Sequence, residues 1–313
     1  MGNTFFFQWE IDLMHLLQNA PAGFITVFSN IFGIVGDLFF VVAVIAFMYW
    51  CYDKKAAKFM IINFLPALVI APMIKNVLLR RRPYFDNDTI KCFRKVEQNA
   101  DMYDIQAQGF SCPSMHSANA LTIFGSLAVY FKNEWLTIVS TIVILCVGIS
   151  RVVNGVHFPT DVLIGWALGA LSLLIMSKVQ KKTQNTLIYA ATLAIIGIPG
   201  WFFCKSTDFY SCYGVSIGLL LGIAYEEKKV HFKGTRNVLK CVLRIAGGAL
   251  AFLIISEGIK LILPASMSID GTFIGNLTRT IRYIAGCFVC FGVYPKVFDK
   301  FKFGKQKQNT KAE

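Results

Sequence analysis

The sequence predicts an all-α fold, a polytopic membrane bundle of about nine transmembrane helices. Three observations carry that expectation. The 313-residue chain is 55% hydrophobic and only 16% charged, against roughly 25% charged in typical soluble domains. Its mean hydropathy is +0.56. Its apolar residues recur in runs near the length of about 20 residues that crosses a bilayer as a helix.

Residues 1–23 read as an interfacial N-terminal segment. They lack the basic start of a cleavable signal. Phe5, Phe6, Phe7, Trp9, Leu13, Leu16 and Leu17 give the segment an apolar face suited to the membrane surface. Phe6 stands where a myristoylation signal after Gly2 would need Ser or Thr. Nine spans follow, near 24–50, 56–78, 117–131, 135–150, 160–178, 185–203, 212–226, 238–263 and 279–297. The third, fourth and seventh are short for a full crossing. Gly165 and Gly169 in the fifth suit close helix packing. No internal repeat and no soluble second domain is visible.

The net charge of +13 does not point to nucleic acid, because no basic helix with interleaved aromatics stands outside the membrane runs. One group of basic residues lies in the odd-numbered connections: Lys54, Lys55 and Lys58, then Lys132, then Lys178, Lys181 and Lys182, then Lys228, Lys229, Lys233 and Arg236, and finally the tail from Lys296; the outer loop at 79–116, also rich in Lys and Arg, departs from this pattern as a functional anion site would. By the positive-inside rule the odd-numbered connections face the cytoplasm, with the N-terminus outside and the C-terminus inside. Residues 79–116, 151–159, 204–211 and 264–278 then lie outside. The sequons at Asn87 and Asn276 both fall in these outer loops. Cys92 with Cys112, and Cys204 with Cys212, share outer loops where a disulfide is open to either pair in an oxidising compartment. No CxxC spacing suggests a metal.

The chemistry gathers at outer helix ends. Span two closes on Lys75-Asn76-Val77-Leu78-Leu79-Arg80-Arg81-Arg82-Pro83, where Lys75 and Arg82 are two helical turns apart and share a face toward one anion. Arg80 and Arg81 read as solvated interfacial arginines. Before span three stands Cys112-Pro113-Ser114-Met115-His116, with a helix N-terminus and a serine hydroxyl as phosphate donors. Between spans four and five comes Ser150-Arg151-Val152-Val153-Asn154-Gly155-Val156-His157-Phe158-Pro159-Thr160-Asp161. Arginine binds phosphate through paired hydrogen bonds, and an imidazole backed by a carboxylate is a nucleophile. Taken alone, that last stretch also reads as an ion-paired helix end, with Asp161 as its cap. Glu257 and Lys260 in span eight, with Arg279 and Arg282 at the start of span nine, read as snorkelling anchors or a structural pair rather than as the lining of a lipid headgroup path.

These three stretches resemble, in order and spacing, the signatures of the type 2 phosphatidic acid phosphatase (PAP2) superfamily: K-x6-RP, PSGH and SR-x5-H-x3-D. Met115 departs from the pattern, where the family carries glycine. Sphingoid-base phosphate phosphatases also carry a non-glycine residue there, and the nine-span layout is similar to theirs and to glucose-6-phosphatase. The resemblance implies a six-helix core and a division into a catalytic core at 24–203, three added spans at 204–297 and a basic tail at 298–313. It implies that His157 attacks phosphorus, Asp161 orients it, and His116 serves the leaving group and then water. Lys75, Arg82, Ser114, Met115 and Arg151 would hold the phosphoryl oxygens. No metal or cofactor is needed. The expected substrate is a phosphorylated lipid (polyprenyl, glycerophospholipid or sphingoid-base phosphate) met on the extracytoplasmic face of a membrane, the bacterial inner membrane being favoured by the compact loops. A soluble ester such as a sugar phosphate, a lipid-linked phosphotransfer, or a non-enzymatic anion or lipid transporter stand as the other readings.

Overall fold

The computed structural model describes residues 2–300, and those residues are helical apart from connecting loops and one isolated bridge between Asn3 and Arg80. Short helix α1 (Gln8–Gln18) begins where Glu10 reaches back to the Phe7 amide. Helices α2 (Ala22–Val35) and α3 (Leu38–Phe47, prolonged by a π turn to Tyr52) form one apolar pair bent by 52°. The break falls at Gly36 and Asp37, and the Asp37 carboxylate caps the second half through the Phe39 amide. Asp53 likewise caps α4 (Lys54–Leu78), which ends as Leu79 turns left-handed at φ 52°. The outer loop carries two short turns, α5 (Pro83–Asp86) and α6 (Ile105–Gln108).

Helix α7 (Met115–Phe131) starts at the Ser114 cap, α8 (Glu134–Val153) at Asn133, and α9 (Pro159–Val179) at Pro159, whose missing N–H costs nothing in a first turn. They are followed by α10 (Thr186–Gly197), α11 (Gly200–Phe203), α12 (Thr207–Lys229), α13 (Val238–Ile262) and α14 (Phe273–Phe288). Among the described residues seven helices are long and apolar enough to cross a membrane, or eight with the bent pair taken as one span. The difference from nine is α7. At 17 residues it is about 25 Å long, short of a hydrocarbon core of about 30 Å. Its polar residues are spent inward, with Ser117, Asn119, Thr122 and Ser126 all buried. The expected fourth and seventh spans lengthen to 20 and 23 residues, because their polar ends remain helical.

Helix α7 packs against α4, α8 and α9. Gly165 on α9 faces the Ser114 carbonyl, and a methyl at Gly169 would stand 3.0 Å from the Ala118 carbonyl. The absence of side chains there lets α9 lie against the first turns of α7. Helix α12 meets α14 in the same manner through Gly214, Gly218 and Gly222. At the opposite end of the bundle the buried Glu226 joins α12 to α4 and α3, with Lys54 at 2.5 Å and Tyr49 Oη at 2.9 Å.

Several expectations require correction. The second sequon lies inside α14, where Asn276 and Thr278 are buried, because the helix starts six residues before the expected edge. All nine cysteines carry free thiols. The Arg282 guanidinium donates to Ser256 and to Glu257 at 3.0 Å, the structural pairing expected of spans eight and nine. The tail beyond residue 300 lies outside the described residues. Because Gly165 abuts backbone rather than a movable side chain, Gly165→Val should lower the thermal midpoint in detergent, by roughly 1–3 kcal/mol of stability; an unchanged midpoint would show that α7 and α9 yield there freely.

Candidate functional site

The loop ends of α4, α7, α8 and α9 are stitched together by backbone. The Ser114 amide donates to the Asp161 carbonyl at 2.9 Å, and the Ser111 amide to the Arg80 carbonyl at 2.8 Å. The Phe93 amide donates to the Asn154 carbonyl at 3.1 Å. Three sequence stretches remote from one another therefore converge on one small volume.

Arg82 does not arrive by sharing a helical face with Lys75, since α4 ends at Leu78 and Arg82 is extended ahead of Pro83. It is 2% exposed and clamps the loops. Its Nε donates to the Gln108 and Gly109 carbonyls at 2.9 and 3.1 Å, and Nη1 to the Val156 carbonyl at 2.8 Å. With Nη2 turned to Phe110, one hydrogen is left on each terminal nitrogen for a ligand.

Arg151 is 3% exposed, Lys75 6% exposed, and neither side chain has a hydrogen bond or ion pair among the described residues. Isolated charges are costly to bury. Both side chains act, together with Arg82, on His116 and His157, and a group of cations gathered there favours an anion. Ser114 contributes its hydroxyl, which already accepts from Ser117 at the helix start. The Met115 and His116 amides in the first turn of α7 have no intrahelical acceptor, as at any helix N-terminus. Met115 keeps that amide despite replacing glycine.

His116 and His157 sense each other electrostatically, and His116 also senses Arg151, Lys75 and Arg82. His157 Nδ1 lies 3.6 Å from Asp161 Oδ2, in ion-pair range but longer than a hydrogen bond. The Asp161 carboxylate is held by the Phe158 amide at 2.8 Å on Oδ2 and by Arg80 Nη1 at 2.7 Å on Oδ1. Arg80 is thus not solvated, in contrast to the expectation; it is 2% exposed. The solvated reading fits only Arg81, which is part-exposed beside Asp86. Sequence reasoning also passed over two other groups. Glu10 on α1 is fully buried against Arg80. Arg94 Nη1 and Arg151 Nη1 both approach Gly33, at 3.0 and 3.4 Å from where a side chain would begin. The Arg94 guanidinium makes no hydrogen bond or ion pair among the described residues. The only signals for these groups were a glutamate three residues inside a helix start and an arginine in the basic outer loop.

Among the described residues no three His, Cys, Asp or Glu side chains are grouped to hold a metal ion. Burial, then Arg82, Arg151 and Lys75, hold the His157 imidazole well below the ordinary histidine range. Burial and then Asp161 push the Cys112 thiol up to about 12, so it stays protonated beside the site. The folded chain refuses at His157 a proton that the unfolded chain accepts near pH 6.5. Stability is therefore expected to fall as pH drops through about 6.5, and to fall less in His157→Gln; thermal melts in detergent between neutral and mildly acid pH check this, and equal slopes would contradict it.

Residues 56–185 match the model of the PAP2 superfamily, and residues 210–307 match the model described as PAP2 superfamily phosphatase, transmembrane extension. Phosphatidylglycerophosphatase B of Bacillus subtilis is 33% identical over 90 residues, which is 26% of this chain and 44% of that protein. Undecaprenyl-diphosphatase of Sulfolobus acidocaldarius is 29% identical over 119 residues, 37% of this chain and 52% of that protein. The chain thus spans about half the length of these relatives. No solved structure matches it.

Proposed function

Because the chain belongs to the PAP2 superfamily, we propose that it is a metal-independent phosphatase of a lipid phosphate monoester or diphosphate, working through a phosphohistidine. The observation that carries this is the pair of buried, unpartnered cations, Lys75 and Arg151, beside two imidazoles. A transporter vestibule has use for the cations but not for a neutral histidine backed by a carboxylate.

In this reading His157 attacks phosphorus as the bond to the ester oxygen breaks. Asp161 answers the positive charge that then develops on the imidazole. Lys75, Arg82, Arg151, the Ser114 hydroxyl and the amides at Met115 and His116 hold the phosphoryl oxygens and stabilise the charge they gain. His116 protonates the departing oxygen, an alkoxide from a monoester or the lipid phosphate from a diphosphate. It next takes a proton from water, which attacks phosphorus, cleaves the P–N bond and frees inorganic phosphate. The phosphorylated-lipid reading is supported by an integral membrane fold and by relatives named for phosphatidylglycerophosphate and undecaprenyl diphosphate. The charge pattern supports an extracytoplasmic site, with the N-terminus outside and the C-terminus in the cytoplasm; the compact loops favour a bacterial inner membrane. The catalytic core is taken as 24–203, with 204–297 as an added three-span unit.

Purified protein should release phosphate from such a lipid with EDTA present, and vanadate should inhibit. His157→Ala should abolish release, and turnover at the wild-type rate in that variant would refute the mechanism. Arg94, whose Nη1 approaches Gly33 beside that of Arg151, favours diphosphate esters by offering a cation to the second phosphoryl group. Arg94→Gln is therefore expected to raise KM for a prenyl diphosphate about tenfold while leaving a prenyl monophosphate within about twofold. Equal effects on both esters would remove the preference for diphosphate.

A further inference from the structure

We propose that Glu10, acting through Arg80, is a positioning residue for phosphoryl transfer: it fixes the guanidinium that orients Asp161 and keeps the cluster of the three groups net negative beside His157. The inference rests on the reading of His157 as nucleophile. It starts from a chain of charges that none of the three motif stretches requires. Arg80 places Nη1 at 2.7 Å from Asp161 Oδ1 and Nη2 at 2.9 Å from Glu10 Oε2. The Thr160 hydroxyl accepts from Arg80 Nη1 at 2.7 Å and donates to Glu10 Oε1 at 2.5 Å, closing the ring. The Thr160 amide donates to the same Glu10 oxygen at 3.2 Å. Arg80 Nε is taken by the Phe5 carbonyl at 2.9 Å, and the Phe5 and Phe158 rings cover the guanidinium at 4.8 and 4.0 Å.

Arg80 alone would work against catalysis. A buried guanidinium on Asp161 cancels the charge that should stabilise a cationic His157, and in a low-dielectric setting that cancellation is strong. Glu10 answers Arg80 from the other side, so the trio keeps one net negative charge, with Asp161 Oδ2 as its face toward His157. The arrangement has little freedom. Asn3 pairs with the backbone of Leu79 and Arg81, Gln18 donates to the Lys91 and Val153 carbonyls, and Ile11 and Met14 pack with Val152, Phe158 and Val162. Helix α1 is thereby fastened at both ends, and Glu10 is delivered to Arg80 by a surface helix that carries no motif of its own.

The test is steady-state and single-turnover phosphate release by the full-length protein on one lipid phosphate. Glu10→Gln keeps the shape and removes the charge. It should lower kcat and the rate of phosphoenzyme formation about tenfold with KM within about twofold. Asp12→Asn removes the same charge from the exposed face of α1 and should change neither. Wild-type kcat in Glu10→Gln, or a loss confined to its melting temperature, overturns the proposal. If Glu10→Gln does not accumulate as folded protein, Thr160→Val removes the hydroxyl between the two groups; a kcat lowered about threefold supports the relay, and an unchanged kcat overturns it. Wild-type protein that releases no phosphate would sink the phosphatase reading itself, whereas normal wild-type turnover with an indifferent Glu10→Gln sinks this inference alone.

Discussion

Positive charge buried without a carboxylate in contact is the condition on which the rest of this molecule turns. Arg151 and Lys75 are almost wholly removed from solvent and form no contact ion pair among the described residues. Such groups persist only where the surrounding frame is firm enough to hold them apart and together at once. The frame is visible in the backbone: Ser114 to Asp161, Ser111 to Arg80, and the Arg82 side chain knotting residues 108–110 to Val156. Arg82 therefore serves two ends. Three of its five N–H donors build the loops, and the other two stay directed to whatever the cations gather round.

Against this cationic wall stands a separate acidic arm. Asp161 does not lie free beneath His157, since both of its oxygens are engaged before the imidazole is considered. Its neighbour Arg80 is answered in turn by Glu10, so the sign of the field at His157 depends on a helix outside the bundle. The N-terminal segment is then more than a membrane-surface stub. Its aromatic side, with Phe7 and Trp9, stays exposed, while the Glu10, Ile11 and Met14 side is buried against the bundle.

The helical bundle was legible in the chain because apolar runs and cap residues report directly on local structure. Asp53, Asn133, Asn185 and Asn237 each sit at a helix start that composition also indicated. The eight residues that spacing singled out all lie at the stitched helix ends, where the proposed reaction needs them. What could not be read was geometry that depends on distant partners. Arg80 and Arg81 are adjacent in a run of three arginines, yet one is buried and the other half-open, because only one faces Glu10 and Asp161. Lys75 and Arg82 looked like one helical face until a left-handed residue at Leu79 ended the helix between them. Asn276 looked like a loop because polar residues open α14, whose buried side they occupy.

The shortness of α7 has one more effect. Helix α7, whose first turn belongs to the site, has 17 residues against 25, 20 and 21 in the helices α4, α8 and α9 packed on it, which suits a site at the boundary between lipid and water. For the proposed reaction, an ester straddling that boundary would be cut where its two halves prefer different solvents. The greasy alcohol would remain dissolved in the bilayer, and inorganic phosphate would escape to water. Partition of the two products, rather than any motion of the protein, would make the cleavage hard to reverse.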